Sequence, residues 1–337
     1  MKITNKNDIP LALAVWLLHD EYDYIKEKNY FSVTGLMKPT RHLIIPPRLD
    51  QSQLEMDLDD MIARALGHAI HDSIEKAWRM GYKAPLKRLG YTDTQIDRVM
   101  INPTDQELEE ANAAIPIYLE QRMYRQIDVD GVTYIIGGKF DMVTEGRVND
   151  TKSTSAWSWA GHDKDEEHIR QLSIYNWVDK DAYADVDCTQ RIKPKIHQEV
   201  GQINYVFTDW QRAMAKTAKD YPETRVKSRM LPLEDPEEIE KIIVAKIREL
   251  KRYWNAPEST LPLCSDKELW LSDPQYKYYS NPNNTTGRST KNFSTLIEAR
   301  THLAQKGKGV VIPQPREAKR CGYCPAFEGC SQKDKYL

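Results

Sequence analysis

Two strand-like runs in the middle of the chain each carry a carboxylate. The first is Gly137-Gly138-Lys139-Phe140-Asp141-Met142-Val143, and nine residues after Asp141 comes Asp150-Thr151-Lys152. Strand alternation puts the side chains of Asp150 and Lys152 on one face. Such a set suits hydrolysis of a phosphodiester. That reaction needs a hard divalent cation to neutralise charge on the phosphoryl oxygens and to lower the pKa of the attacking water, and oxygen ligands suit Mg²⁺ or Mn²⁺. Asp141 and Asp150 can supply two carboxylates, and the Thr151 carbonyl a third oxygen. The Lys152 ammonium can orient the nucleophile and stabilise developing negative charge.

Two helical patterns flank these strands. Upstream, Gly67, His71 and Glu75 are spaced four apart, which stacks them on one helix face and makes the His71 imidazole a candidate to complete the metal shell. Downstream, His168, Gln171 and Tyr175 share a face at i, i+3 and i+7. Gln171 and Tyr175 are candidates to bind the lysine or a phosphate and to hold the shape of the site. Singly, each feature is ordinary: an Asp-x-Lys arises by chance in most chains of this size, and a histidine on an amphipathic helix is usually packed or solvated. Their order on helix, strand, strand and helix is what carries information.

In that order the chain resembles the RecB-like branch of the PD-(D/E)XK nuclease superfamily. The matching motifs are a Gly-x-x-x-His helix (Gly67, His71), a Gly-x-x-Asp strand (Gly138, Asp141), an Asp/Glu-x-Lys strand (Asp150, Lys152) and a Gln-x-x-x-Tyr helix (Gln171, Tyr175), across about residues 60 to 215. The resemblance implies an α/β, restriction-endonuclease-like core, a central mixed sheet flanked by helices. It also implies that His71, Asp141, Asp150 and the Thr151 carbonyl bind the catalytic metal while Lys152 assists the attacking water. Glu120 matches a frequent acidic position of the family.

The elements that must position these groups follow from periodicity. A helix-like stretch covers about residues 8 to 28, and Ser32 to Leu49, with Pro39, Pro46 and Pro47, reads as irregular. From Asp57 an acid-rich start leads into Ile62, Leu66, Ile70, Ile74 and Ala77 at helical spacing. A second helix is expected from about Asp105 to Gln126. Strands are expected over Gly131 to Ile136, Lys139 to Thr144 and Arg147 to Lys152, then a helix over Glu166 to Lys180 and a strand over Val200 to Asp209. Beyond about residue 212 the pattern turns helical, with helices over Asp235 to Tyr253 and Phe293 to Lys306 and a loop at Asn281 to Thr290. This divides the chain into an N-terminal helical segment (1–56), a nuclease core (57–215) and a helical C-terminal module (216–337).

That module closes on Cys321-x2-Cys324-x5-Cys330. Two residues between cysteines let one turn aim both thiolates at one centre. Of the two remaining cysteines, Cys264 is the better fourth ligand because it lies in the same module, with Cys188 the spare. The tail is similar to the iron–sulfur staple of AddB-type and CRISPR-associated relatives, which implies a [4Fe-4S] cluster. Those relatives take one cysteine from an N-terminal segment, whereas Ser32 to Arg41 contains none. Four thiolates hold Zn²⁺ equally well, so Zn²⁺ stands as the alternative and metal-free thiols as a third state.

Composition adds bounds rather than a partner. With 48 basic against 50 acidic residues in 337, any affinity for DNA must come from local clustering. Arg316, Lys319, Arg320, Lys306 and Lys308 form one such cluster, and Trp157 and Trp159 are candidates to stack on unpaired bases. The apolar run Leu11 to Leu18 is too short to span a bilayer, so a cytoplasmic protein without a membrane partner is expected. The expected activity is metal-dependent hydrolysis of DNA, first as an exonuclease in recombination, repair or processing. The alternatives are a structure- or sequence-specific endonuclease and a non-catalytic nucleic-acid-binding module. No Gly-x-x-x-x-Gly-Lys-Ser/Thr loop is present, so unwinding would need a partner such as a helicase, with a recombinase or single-strand-binding protein as other candidates. A stand-alone chain of this kind is compatible with a viral source.

Overall fold

A computed structural model describes residues 1–336 and divides them into two compact units. Lys2–Met37 with Glu55–Arg248 form the larger; Lys38–Leu54 with the chain from Glu249 onward form the smaller, together with Met1.

The larger unit is built on a seven-stranded mixed sheet flanked by helices. Its strands are β1 (Tyr30–Ser32), β2 (Val99–Ile101), β3 (Ile115–Val129), β4 (Val132–Thr144), β5 (Arg147–Thr154), β6 (Val200–Phe207) and β7 (Val226–Pro232). They run in the order β2-β3-β4-β5-β6-β7, with β1 beside β4. The pairs β2–β3, β1–β4 and β5–β6 are parallel; β3–β4, β4–β5 and β6–β7 are antiparallel. The parallel β5–β6 pair requires a crossover, which α3 (Asp165–Asp179) supplies. Helix α1 is Leu11–Leu18, and α2 is Ile62–Gly81.

The long helix expected from Asp105 to Gln126 does not form: only Asp105–Glu110 is helical, and β3 follows. A capping box between Thr104 and Glu107 starts the helix. Beyond Ala113, which turns the chain at φ 56°, Ile117, Leu119, Met123, Ile127 and Val129 are buried at spacings of two and four. That is strand periodicity, and pairing with β4 wins over helix propensity. β4 is one continuous strand rather than two runs split at Gly137-Gly138. Those glycines give room instead of a turn: a Cβ at Gly138 would lie 2.8 Å from the Tyr175 ring and 2.9 Å from Val33 Cγ2.

Helix α2 enters through a 3-10 turn, Leu58–Met61, capped by the Asp57 carboxylate accepting from Asp59 N at 3.1 Å. Helix α3 is different in kind. From Gln171 to Asp179 every residue is buried, and its polar side chains are largely spent on specific partners. Ser173 Oγ donates to Ile169 O at 2.7 Å and accepts from Glu234 N at 2.8 Å, while Asp179 accepts from the backbone of Lys195 and Ile196, each at 2.7 Å.

The expected boundary near residue 216 gives way to one near 248, because β7 completes the main sheet and the helix α4 (Pro236–Tyr253) follows it. The N-terminal segment is likewise not a helical unit of its own: its residues are shared between the two compact units. The smaller unit is not purely helical either. It contains an antiparallel sheet of β8 (Gln275–Tyr279), β9 (Lys291–Phe293) and β10 (Val310–Gln314), ordered β9-β8-β10, with helix α5 at Leu296–Lys306. Tyr276 and Tyr278 of β8 alternate with Lys277, a period-two pattern on a segment too short to stand out. Among the described residues no helix is long and apolar enough to cross a membrane.

Candidate active site

The site forms where β4 lets go of both its neighbours. The β3–β4 ladder runs without a shift of register but skips the facing pair Glu120 and Asp141. Glu120 is in the left-handed region at φ 49°, a conformation costing a glutamate about 1–2 kcal/mol. On the other side, β4–β5 pairing stops at Met142↔Asn149. Thr151 N–H, beyond that last rung, donates instead to Asp141 Oδ2 at 2.8 Å. Two carboxylates thus project where the sheet has local slack.

Helix α2 brings His71 to the same place. Its Nδ1 lies 3.1 Å from Asp141 Oδ2, and one ligand atom each of His71, Glu120 and Asp141 lie within 4.8 Å of one another. Glu120 is also paired with Lys139 Nζ at 2.7 Å. These three residues and Thr151 line a cavity of about 250 Å³.

Beside this group lies a second, deeper one. Asp150 is only 3% exposed; its Oδ1 accepts from Gln171 Nε2 at 3.1 Å, and its Oδ2 meets Lys152 Nζ at 2.7 Å. Gln171 and Tyr175 therefore hold the site's shape rather than bind the lysine. Tyr175 Oη donates to Lys139 O at 3.0 Å, and its ring fills the space left by Gly138. The helix motif and the glycine strand motif interlock. Gly67, the other motif glycine, passes β5 at Ser153.

Burial and charge set the protonation of these groups. Burial pushes the Asp150 carboxyl up to about 6, against the pull of Lys152. For Lys152, burial pulls the pKa down, but the Asp150 carboxylate more than offsets it and the net shift is upward. His71 behaves alike: burial lowers it, and Asp141, with Asp150 behind, raises it overall. Glu120 is raised by burial, which Lys139 only partly offsets.

The residues expected at the site come together. The metal-capable set is His71, Glu120 and Asp141. Asp150 lies outside it, engaged by Lys152 and Gln171, and the Thr151 backbone orients Asp141. Glu120 escaped a firm assignment because its segment reads as helix; its acidic residue opposite Asp141 becomes visible once β3 is recognised as a strand. Trp159 packs on Phe207 with the Arg229 guanidinium 4.9 Å from its ring, so it is a packing residue, whereas Trp157 remains about half exposed. Arg316 is taken up by Ser272 O and Asp266, and Arg320 by Glu268 O and the Trp270 ring.

The cysteines gather in the smaller unit. Burial raises the thiols of Cys264, Cys321 and Cys324, with Cys264 pushed up to about 11, and each also feels the charge of Cys330. Gln332 clasps the Cys264 backbone from both sides, accepting from its N–H and donating to its carbonyl, each at 2.8 Å. Cys188 lies in the larger unit among Asp185, Asp187 and Asp181, and is no part of the set. The N-terminal segment does contribute a residue here. Arg41, 2% exposed, donates from Nη1 to Cys330 Sγ at 3.2 Å, from Nε to Pro262 O at 3.1 Å, and to the Glu258 carboxylate.

No family model and no curated protein matches the chain. Among solved structures it is similar to SSO0001 at 17% identity and a TM-score of 0.41, over 73% of this chain and 87% of that one.

Proposed function

We propose that the protein is a metal-dependent deoxyribonuclease whose larger unit is a restriction-endonuclease-like core. The observation that carries this reading is the convergence of His71, Glu120 and Asp141 within 4.8 Å, beside a buried Asp150–Lys152 pair. One imidazole and two carboxylates suit Mg²⁺ or Mn²⁺. These three side chains would hold the ion, with Asp150 in reserve one shell deeper. Bound there, a divalent cation would lower the pKa of a water and neutralise charge on the phosphoryl oxygens.

The chain's own groups supply the rest. Lys152 is about 30% exposed at its side chain, enough to present its ammonium to a phosphate while Asp150 fixes its direction. Gln171 keeps Asp150 in place, and Thr151 N–H does the same for Asp141. A buried carboxylate held against its own desolvation cost beside a cavity favours a catalytic site over a plain binding module.

Cys264, Cys321, Cys324 and Cys330 would hold a second metal centre. The similarity of the tail to an iron–sulfur staple makes a [4Fe-4S] cluster the first choice, with Zn²⁺ as the alternative that four thiolates would hold equally well.

The deciding experiment is digestion of end-labelled linear DNA and covalently closed circles with Mg²⁺, Mn²⁺ or EDTA, beside Asp150→Ala. An exonuclease degrades the linear DNA, spares the circles and stops in EDTA. Equal digestion by wild type and Asp150→Ala overturns the proposal.

A further inference from the structure

Part of the smaller unit is strongly basic in a chain whose net charge is −2. From Gln275 to Gln314, through β8, β9, α5 and β10, six cations stand against one acid: Lys277, Arg288, Lys291, Arg300, Lys306 and Lys308 against Glu298. Glu298 is taken up by the start of α5, where its N–H donates to Thr295 Oγ1 at 3.3 Å and its carboxylate accepts from Ser294 Oγ at 3.4 Å. Among the described residues none of the six cations pairs with a carboxylate.

Topology gathers four of them at one end of the small sheet. β8 runs antiparallel to both neighbours, so its C-terminal end meets the start of β9 (Tyr278↔Lys291) and of β10 (Tyr279↔Val310). Arg288 in the β8–β9 loop, Lys291 opening β9, Lys306 closing α5 and Lys308 in the turn into β10 therefore share that end. Tyr278 and His302 fix their spacing. Tyr278 Oη donates to Lys308 O at 2.9 Å, and the His302 ring packs on Tyr278 and Phe293 at 4.8 and 5.1 Å between centroids. Desolvation, then the charges of Lys291 and Lys306, hold the His302 imidazole below its ordinary range, so both ammonium groups act on one ring. Gly309, at φ 103°, keeps the turn tight: a Cβ there would lie 2.5 Å from Tyr279 O.

A lysine at a helix C-terminus complements the helix dipole, which accounts for Lys306 and for none of the other three. Like charges crowded at one end repel, and a partner with regularly spaced negative charge reverses that cost. The same loop exposes Asn283, Asn284 and Thr286, neutral groups that can donate to phosphate oxygens. A lipid surface would need large apolar side chains at this end as well. In this stretch the exposed one is Ile297, in the first turn of α5 at the other end. We infer that this end of the smaller unit is an anchor for the nucleic-acid backbone, adding affinity for DNA without reading its sequence. The inference rests on the nuclease reading for the choice of DNA as the polyanion.

The test combines Lys291→Ala, Lys306→Ala and Lys308→Ala, all at exposed positions. The control combines Lys26→Ala, Lys28→Ala and Lys219→Ala, three exposed lysines of the larger unit. A third variant changes Lys291, Lys306 and Lys308 to arginine, which keeps the charge. Binding of a fluorescein-labelled duplex is followed by anisotropy in EDTA over a series of NaCl concentrations, and cleavage of the same duplex with Mn²⁺. Vesicles of phosphatidylserine and phosphatidylcholine are the competing anionic surface.

Each neutralised phosphate contributes about 0.9 to the slope of log affinity against log salt, so losing three contacts should flatten that slope by about 2–3. Raising NaCl from about 50 to about 200 mM should then cost wild type about fortyfold more affinity than it costs the alanine variant. The arginine variant and the control should keep the wild-type slope. A wild-type slope in the alanine variant, an equal drop in the control, or lysine-dependent binding to the vesicles in place of DNA overturns the inference. If binding depends on these lysines but Mn²⁺ supports no cleavage, the anchor stands and the nuclease reading falls. Cleavage with an unchanged salt slope gives the reverse.

Discussion

Replacing Asp150 with asparagine should stabilise the metal-free protein while abolishing cleavage. The carboxyl is raised from 3.8 to about 6 in the fold, chiefly by burial. A native pKa above the unfolded one means that the native state binds more protons between those values, so stability falls as pH rises through that window. Above about pH 6 the full penalty applies. A rise of that size corresponds to about 3 kcal/mol. That figure already contains the attraction of Lys152, because burial and ion pair act on the carboxyl together. Asparagine resembles the neutral acid and still accepts from Gln171, but its amide also offers N–H groups to the Lys152 ammonium, so the expected gain is about 1–3 kcal/mol at pH 8. At about 2–4 °C per kcal/mol, melting should rise by several degrees. The assay is urea and thermal unfolding in EDTA, followed by tryptophan fluorescence, at pH 8, 7, 6, 5 and 4. The difference between Asp150→Asn and wild type should shrink as pH falls, be small by about pH 4, and vanish below the unfolded value of 3.8. A variant less stable than wild type at pH 8, or a difference independent of pH, refutes the argument.

Three further outcomes follow from the same geometry. Glu120→Gln removes one of three ligand groups and should cut the Mn²⁺-induced rise in melting temperature, which for wild type is worth about 2.7 kcal/mol at 100-fold excess over Kd; an unchanged rise would remove Glu120 from the metal set. Cys264→Ser should lower the iron or zinc content of anaerobically purified protein, while Cys188→Ser leaves it unaltered, and the reverse ranking in elemental analysis would reassign the fourth ligand. Gly138→Ala forces a methyl against Tyr175 and Val33 at 2.8–2.9 Å and should destabilise by about 1–3 kcal/mol in urea unfolding, whereas a neutral effect would mean that α3 can shift away from β4.

The sequence was most informative where a residue type and a short spacing determine geometry together. Asp150 and Lys152 share a face because side chains alternate on a strand, and burial on that face brings them into a 2.7 Å ion pair. His71 and Tyr175 were legible through helical spacing, His71 four residues after Gly67 and Tyr175 four after Gln171, which puts each pair on one helix face. Glu120 was legible only as an acidic position of the family, without a role. Thr104–Glu107 announces a helix convincingly, and nothing local says that it lasts only six residues. What ends it is pairing with β4, a partner later in the chain, and long-range pairing is outside any window of local periodicity. The same reason hid β7 and the small sheet of the second unit. Arg41 was hidden differently: an arginine carries no ligand signal of its own, and its contact with Cys330 joins positions 289 residues apart.

The strain at Glu120 and the burial of Asp150 are two forms of one arrangement. A fold optimised for stability alone would place neither a glutamate in the left-handed region nor a carboxylate at 3% exposure. Each is held by neighbours that over-determine it: Glu120 by the ladder rungs on either side and by Lys139, Asp150 by Gln171 and Lys152. The two costs differ in kind: the backbone cost at Glu120 stays whether or not a cation is bound, whereas the desolvation cost at Asp150 is relieved by positive charge arriving at the mouth of the cavity. A divalent cation therefore binds more tightly than three ligands on an unstrained surface would allow, because its charge offsets a penalty the fold already carries. On that account Mn²⁺ should stabilise wild type more than Asp150→Asn, with the variant keeping its whole ligand triad. Equal stabilisation of the two would separate the buried carboxylate from the metal and leave its desolvation without a function.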